Sequence, residues 1–165
     1  MKNVLLLGSS NISRFTKCKI NNYTVINKGI PSLLTDEMFS NSYKKKVFTN
    51  EKYDYLFFYC GSNDLIKGVP PHTVFENINN FITNIKNFYP GINIIIISIL
   101  NSPNNHRLNI INDVNIVNQN LKKISGVKVL NVNRELSNPK YYEKDGIHFN
   151  DLAYEKLNGL LEEKM

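Results

Sequence analysis

"LLLGSSNIS", residues Leu5 to Ser13, decides how the chain is read. An apolar run reaches Gly8 and stops at two serines, so this is a strand that feeds a nucleotide loop, a nucleophile or a plain polar turn. A dinucleotide loop needs G-x-G-x-x-G, and a phosphate loop needs G-x-x-x-x-G-K-[ST]. No second glycine lies nearby, which removes both nucleotide readings. What remains is a serine at a strand-to-helix turn that offers its hydroxyl to a cleft beside backbone N–H groups, or a serine that only caps a helix or turns the chain.

Working outward, four more short runs resemble the first: Tyr23 to Asn27, Tyr55 to Tyr59, Ile92 to Ile99 and Val127 to Val132. With Val4 to Leu7 they make five expected strands. Their mostly uninterrupted apolar character suits strands covered on both faces, as in a parallel sheet. The segments between them carry helical period. In "HTVFENINNFITNIKNFY" (His72 to Tyr89), the residues Val74, Ile78, Phe81, Ile82, Ile85 and Phe88 form one stripe, and Pro90-Gly91 ends it. Ile110 to Ile124 and Leu152 to Leu161 behave likewise. Strand and helix alternate over the whole length without repeat or linker. The expected fold is a single α/β domain over residues 1–165, a three-layer α/β/α sandwich with a five-stranded parallel, flavodoxin-like sheet. In such sheets the working residues sit beyond the C-terminal ends of the strands.

Composition narrows the possible partners. A chain of 165 residues buries roughly 70% of its unfolded surface and needs no staple. Cys18 and Cys60 match neither a disulfide framework nor a zinc site, so no metal is expected and a reducing, cytoplasmic setting is the default. The apolar run after Lys2 is too short for a signal peptide. "INIIIISIL" (Ile92 to Leu100) is strand length, far below the roughly 20 residues of a membrane span. Asn11 and Asn22 begin Asn-x-Ser/Thr sequons, which chance supplies in a chain so rich in Asn. The net charge of +6 comes from 17 Lys against 3 Arg, and "YKKKVF" (Tyr43 to Phe48) is the only dense basic run. It lacks interleaved aromatics and the bidentate Arg fork, so a solvated face is expected there and no nucleic acid.

Two further strand ends carry unusual residues. "GSNDL" (Gly61 to Leu65) follows the third strand, where Asn63 aims an amide into the same cleft or forms an Asx-type turn. "DGIHFN" (Asp145 to Asn150) precedes the last helix. Of the three histidines, His148 alone has a carboxylate three residues earlier, across a Gly-containing turn. Either Asp145 folds back onto the ring, fixes its tautomer and leaves the other nitrogen to take a proton from a hydroxyl, or the stretch is a surface turn that caps the final helix through Asn150.

Together these stretches resemble the SGNH hydrolases, the GDSL esterase/lipase superfamily, over nearly the whole chain. The family's serine after the first strand falls on Ser10, its glycine after the second on Gly29 in "INKGIPS", its Gly-x-Asn-Asp on Gly61 to Asp64, and its Asp-x-x-His on Asp145 and His148. The usual Gly-Asp-Ser reads Gly8-Ser9-Ser10 here. The segment after Gly29 reads Ile30-Pro31-Ser32 and lacks a second glycine.

The resemblance implies a two-step ester hydrolysis without cofactor. Ser10 is its nucleophile, His148 its base oriented by Asp145, and the N–H groups of Ser10 and Gly29 with the Asn63 side chain form its oxyanion hole. The brief loops favour a short acyl ester, such as acetate on a sugar, or a small phospholipid acyl ester. The other readings are an inactive binding module of the same fold, for a glycan or a protein, and a nucleic-acid binder acting through Lys44 to Lys46.

Overall fold

The computed structural model describes residues 1–165. Five strands, β1 (Asn3–Gly8), β2 (Thr24–Asn27), β3 (Tyr55–Tyr59), β4 (Asn93–Ile97) and β5 (Lys128–Leu130), form one sheet. In chain order the helices are α1 (Ser10–Ser13), α2 (Asn41–Val47), α3 (Ser62–Ile66), α4 (Pro71–Phe88), α5 (Pro103–Arg107), α6 (Ile111–Leu121), α7 (Asn133–Leu136) and α8 (Asp151–Lys164). The sheet is parallel throughout in the order β2-β1-β3-β4-β5, the flavodoxin-like arrangement expected.

Successive strand residues point to opposite faces, and both faces are covered. Leu5, Leu7, Leu56, Phe58, Ile94 and Ile96 pack under α2, α4 and α6 in one core. Val4, Leu6, Phe57, Tyr59, Ile95 and Ile97 pack under α1, α7 and α8 in the other. This explains why the strands read as continuous apolar runs. In α4, Pro71 opens the helix where no N–H partner is needed, and Val74, Ile78, Phe81, Ile82 and Ile85 are fully buried. Truncating Phe81 to Ala there costs about 3–5 kcal/mol. Phe88 departs from the expected stripe: it is 49% exposed and lies against Tyr89 and Phe48 in the last turn, away from the sheet.

β4 is shorter than the apolar run that announced it. Its last ladder bond is the Ser98 N–H to the Leu130 carbonyl at 3.0 Å, and from Ile99 on side chains take over: Ile99 donates its N–H to Asn118 Oδ1 at 2.8 Å, and its carbonyl accepts from Asn118 Nδ2 at 2.9 Å. The run stays buried while leaving the ladder.

The chain leaves β1 toward β2 on one side and returns to β3 on the other. A crevice therefore opens at the C-terminal ends of β1 and β3, which pair as far as Gly8 with Tyr59. No helix is long and apolar enough to cross a membrane. Lys44, Lys45 and Lys46 occupy the last turn of α2, where cations complement the free carbonyls.

Candidate active site

The turn after β1 is built on a position that only glycine tolerates. Gly8 has φ +151°, and a Cβ on it would lie 1.9 Å from the Tyr59 carbonyl oxygen. Ser9 then donates its N–H to that oxygen at 3.1 Å, while its own carbonyl accepts from the N–H groups of Ile12 and Ser13, each at 3.0 Å. Ser9 is 3% exposed, and its side chain makes no capping bond. Ser10 therefore heads α1, half-buried, with its N–H among those a helix start leaves unpaired. Neither that N–H nor Oγ bonds to another protein group, so the helix-capping reading of the two serines does not hold.

Across the crevice, Gly61 turns β3 into α3 at φ +125°. Asn63 donates one amide hydrogen toward the Leu33 carbonyl at 3.4 Å, which fixes the plane of the amide and leaves its second hydrogen uncommitted. The Cys60 thiol reaches the same carbonyl at 3.6 Å. Residue 32, just before it, is a serine held in the left-handed region at φ 63°, a strained conformation for a side-chain-bearing residue. Asp64, the fourth residue of the motif, points away from the crevice into the protein.

The third piece arrives from the far end of the chain. His148 Nδ1 lies 2.5 Å from Asp145 Oδ2. Asp145 Oδ1 also accepts the N–H groups of Ile147 at 2.8 Å and His148 at 3.0 Å. Partial desolvation pushes the Asp145 carboxyl up, but these donors and the imidazole outweigh it and hold the group at about 2. Nδ1 is thereby the protonated nitrogen, and Nε2 makes no bond to the protein. The His148 side chain is only 16% exposed. The turn is seated on α5, where Asn104 donates its N–H to the Gly146 carbonyl at 3.0 Å.

One small cavity of about 20 Å³ is lined among others by Ser9, Ser10, Asn63, Ser102 and Ile147, the residue before His148; the His148 and Asp145 side chains are not part of its lining. Gly29 does not line this cavity either. Its N–H donates to Asn27 Oδ1 at 2.9 Å, and a Cβ on it would lie 2.5 Å from the Ser13 nitrogen, so its place in the fold is close packing of the loop after β2 on α1. A larger depression of about 410 Å³ lies between α1 and α8 and includes Arg14, Lys17, Asp151 and Glu155. No group of three or more His, Cys, Asp or Glu side chains gathers anywhere in a form that would hold a metal ion.

Asn11 is the site residue that the sequence did not disclose. Its side chain bonds to the backbone on both sides of His148. Nothing within a few residues of Asn11 marks it, because its partners lie more than 130 positions away.

A five-stranded parallel sheet with a serine heading a helix at its switch point is an arrangement that the comparisons with known proteins place in a family. The sequence profile of the GDSL-like lipase/acylhydrolase family matches residues 12–156, and the chain belongs to that family. No curated protein matches the sequence. Solved structures share the fold at low identity. A protein from Streptococcus pneumonia, provisionally described as a platelet activating factor, superposes with a TM-score of 0.85 at 22% identity, covering 98% of this chain and 83% of that one. A carbohydrate esterase family 3 protein from Talaromyces cellulolyticus gives 0.76 at 16% identity, covering 99% and 96%. An acetylxylan esterase from Geobacillus stearothermophilus gives 0.70 at 13% identity, covering 99% and 93%.

Proposed function

We propose that this chain is a serine hydrolase of short acyl esters, with O-acetyl groups on carbohydrate as the favoured substrate class. The observation that carries this reading is the Asp145-backed His148, whose turn shares a single small cavity with Ser10 and Asn63. Ser10 Oγ attacks the acyl carbon while His148 Nε2 takes the hydroxyl proton. The bond from the acyl carbon to the alcohol oxygen then breaks, and the alcohol leaves with that proton. Water attacks the acyl-serine, gives a proton to Nε2, and the acid departs as Ser10 recovers its hydrogen. Asp145 stays ionised throughout, since its carboxyl is held at about 2, and stabilises the imidazolium formed in each step.

Negative charge on the carbonyl oxygen is met by the Ser10 N–H and the second hydrogen of the Asn63 amide. The Gly29 N–H joins them only by giving up Asn27. The cavity beside Ser10 is small and lined mostly by serine and asparagine residues, which favours a short acyl group over a long one. The esterase neighbours whose names specify carbohydrate or acetylxylan lend the alcohol side of the proposal its direction.

A fluorophosphonate probe tests the reading directly. It should add one mass increment to the peptide containing Ser10, and Ser10→Ala should abolish labelling. Labelling that persists in the variant, or that maps to Ser9 or Ser62, overturns the assignment. A folded wild-type chain that never labels leaves the fold as a binding module.

A further inference from the structure

We infer that Asn11 is a positioning residue that locks His148 onto Ser10, an assignment that rests on the hydrolase reading above. Asn11 directly follows Ser10 in α1 and is 6% exposed. Its Nδ2 donates to the Ile147 carbonyl at 3.2 Å, and its Oδ1 accepts the Phe149 N–H at 3.1 Å. Those two peptide groups flank His148. One side chain, one residue from the nucleophile, therefore holds the backbone on both sides of the base.

Asn11 is itself anchored at the other end. Its carbonyl accepts from the Tyr154 hydroxyl at 2.8 Å, and the Tyr154 ring stacks on Phe15 at 5.0 Å and meets Phe149 edge-on at 5.6 Å. With Nδ1 and its own N–H on Asp145, its carbonyl accepting from the Glu143 N–H at 2.8 Å, and the preceding turn seated on Asn104, the backbone and Nδ1 of His148 are held while Nε2 makes no bond to the protein. A proton transfer between Oγ and Nε2 depends on holding that separation to a fraction of an ångström, because a displacement of about 1 Å costs on the order of 10²-fold in rate.

The chemistry requires an amide of this length. Aspartate keeps the acceptor for Phe149 but sets a carboxylate oxygen against the Ile147 carbonyl, and leucine removes both bonds while filling the space. Glutamine carries one methylene too many for the gap.

The test compares Asn11→Asp and Asn11→Leu with the wild-type full-length chain by two measurements. In the first, both variants should lose about 10–10²-fold in the fluorophosphonate labelling rate at Ser10 and in kcat for p-nitrophenyl acetate, with KM within about twofold. A role in stability alone would lower the melting temperature and leave kcat of the folded fraction intact. In the second, amide hydrogen exchange should find Phe149 protected in the wild type and open in Asn11→Leu, which has no acceptor for it, while Phe57 in the central strand stays protected. Folded variants that label at the wild-type rate overturn the assignment, as does a wild-type Phe149 amide that exchanges freely. A wild-type chain that shows the expected exchange pattern but never labels at Ser10 overturns the hydrolase reading instead, so the two failures are told apart.

Discussion

Thr35 donates to Asp64 twice over, through its N–H to both carboxylate oxygens at 3.1 Å and through Oγ1 to Oδ1 at 2.6 Å. Both residues are buried, at 0% and 2% exposure. Thr35 lies two residues beyond Leu33, whose carbonyl orients the Asn63 amide. The carboxylate thus pins the segment that aims the proposed oxyanion donor, while Asn77 Nδ2 reaches Thr35 Oγ1 at 3.0 Å and ties the same point to α4. Burial raises the Asp64 carboxyl above its ordinary 3.8, and the Thr35 donors pull it back only in part. Asp64→Ala strands two buried donors at about 1–3 kcal/mol each. Chemical denaturation should report a loss in that range, and kcat of the folded variant should fall with it. Unchanged stability would show that Thr35 finds another partner.

Asn63→Ala isolates the donor from its support. The amide matters most where charge develops, so kcat should fall by about 10²–10³ while KM and the melting temperature move little. Steady-state kinetics on p-nitrophenyl acetate reads this directly. A near-normal kcat would remove Asn63 from the site.

The contrast between what the sequence disclosed and what it hid has physical causes. Strands buried on both faces announce themselves as apolar runs, and all five lie where those runs predict, with β3 matching from Tyr55 to Tyr59. Their ends are less legible. Ile99 reads as strand because burial sets its character, yet the Asn118 amide replaces its strand neighbour. Helices of four or five residues, such as α1 and α5, span too little of a period to be seen, so the loop from Asn101 to Arg107 conceals Pro103–Arg107. The pairing of Asp145 with His148 was visible because the two lie three residues apart. The Asn11 bonds were not, since they join the two ends of the chain. Gly29 enters the sequence reading only as the glycine of the family pattern, and the steric reason for a glycine there, the approach of Ser13, exists only in the folded chain.

Acid titration gives a third test. The Asp145 carboxyl lies at about 2 in the folded chain against an ordinary 3.8, so its contribution to folding is complete above 3.8 and is lost as pH falls through about 2. Asp64, shifted upward, has the opposite sign: its contribution is complete below 3.8 and is lost as pH rises through its raised folded value. Asp145→Asn should flatten the stability profile between about pH 4 and 2 and leave the neutral plateau's shape unchanged. Since Asp145 is largely solvent-exposed, the change should also shrink as salt is added. Denaturation curves from pH 2 to 7 at two ionic strengths would check both. A profile for Asp145→Asn that parallels the wild type would show that the carboxylate gains nothing from its neighbours on folding.

The final prediction concerns the acyl group. Beside Ser10 the cavity is small, with Tyr59, Leu100 and Ile147 as its apolar lining among serine and asparagine residues, so methylenes beyond the first few find little apolar surface to cover. A methylene that did find one would contribute about 0.8 kcal/mol, nearly fourfold in kcat/KM, and the trend along an ester series is therefore easy to read. The p-nitrophenyl acetate ester should be cleaved faster than the butyrate, and both faster than the octanoate or palmitate, with acetylated sugars accepted as well. His148→Ala should erase activity on all of them, because one base serves both steps. A kcat/KM that rises steadily to the long-chain esters would overturn the short-acyl reading and direct attention to an acyl groove outside the crevice, as a phospholipid acyl esterase would require.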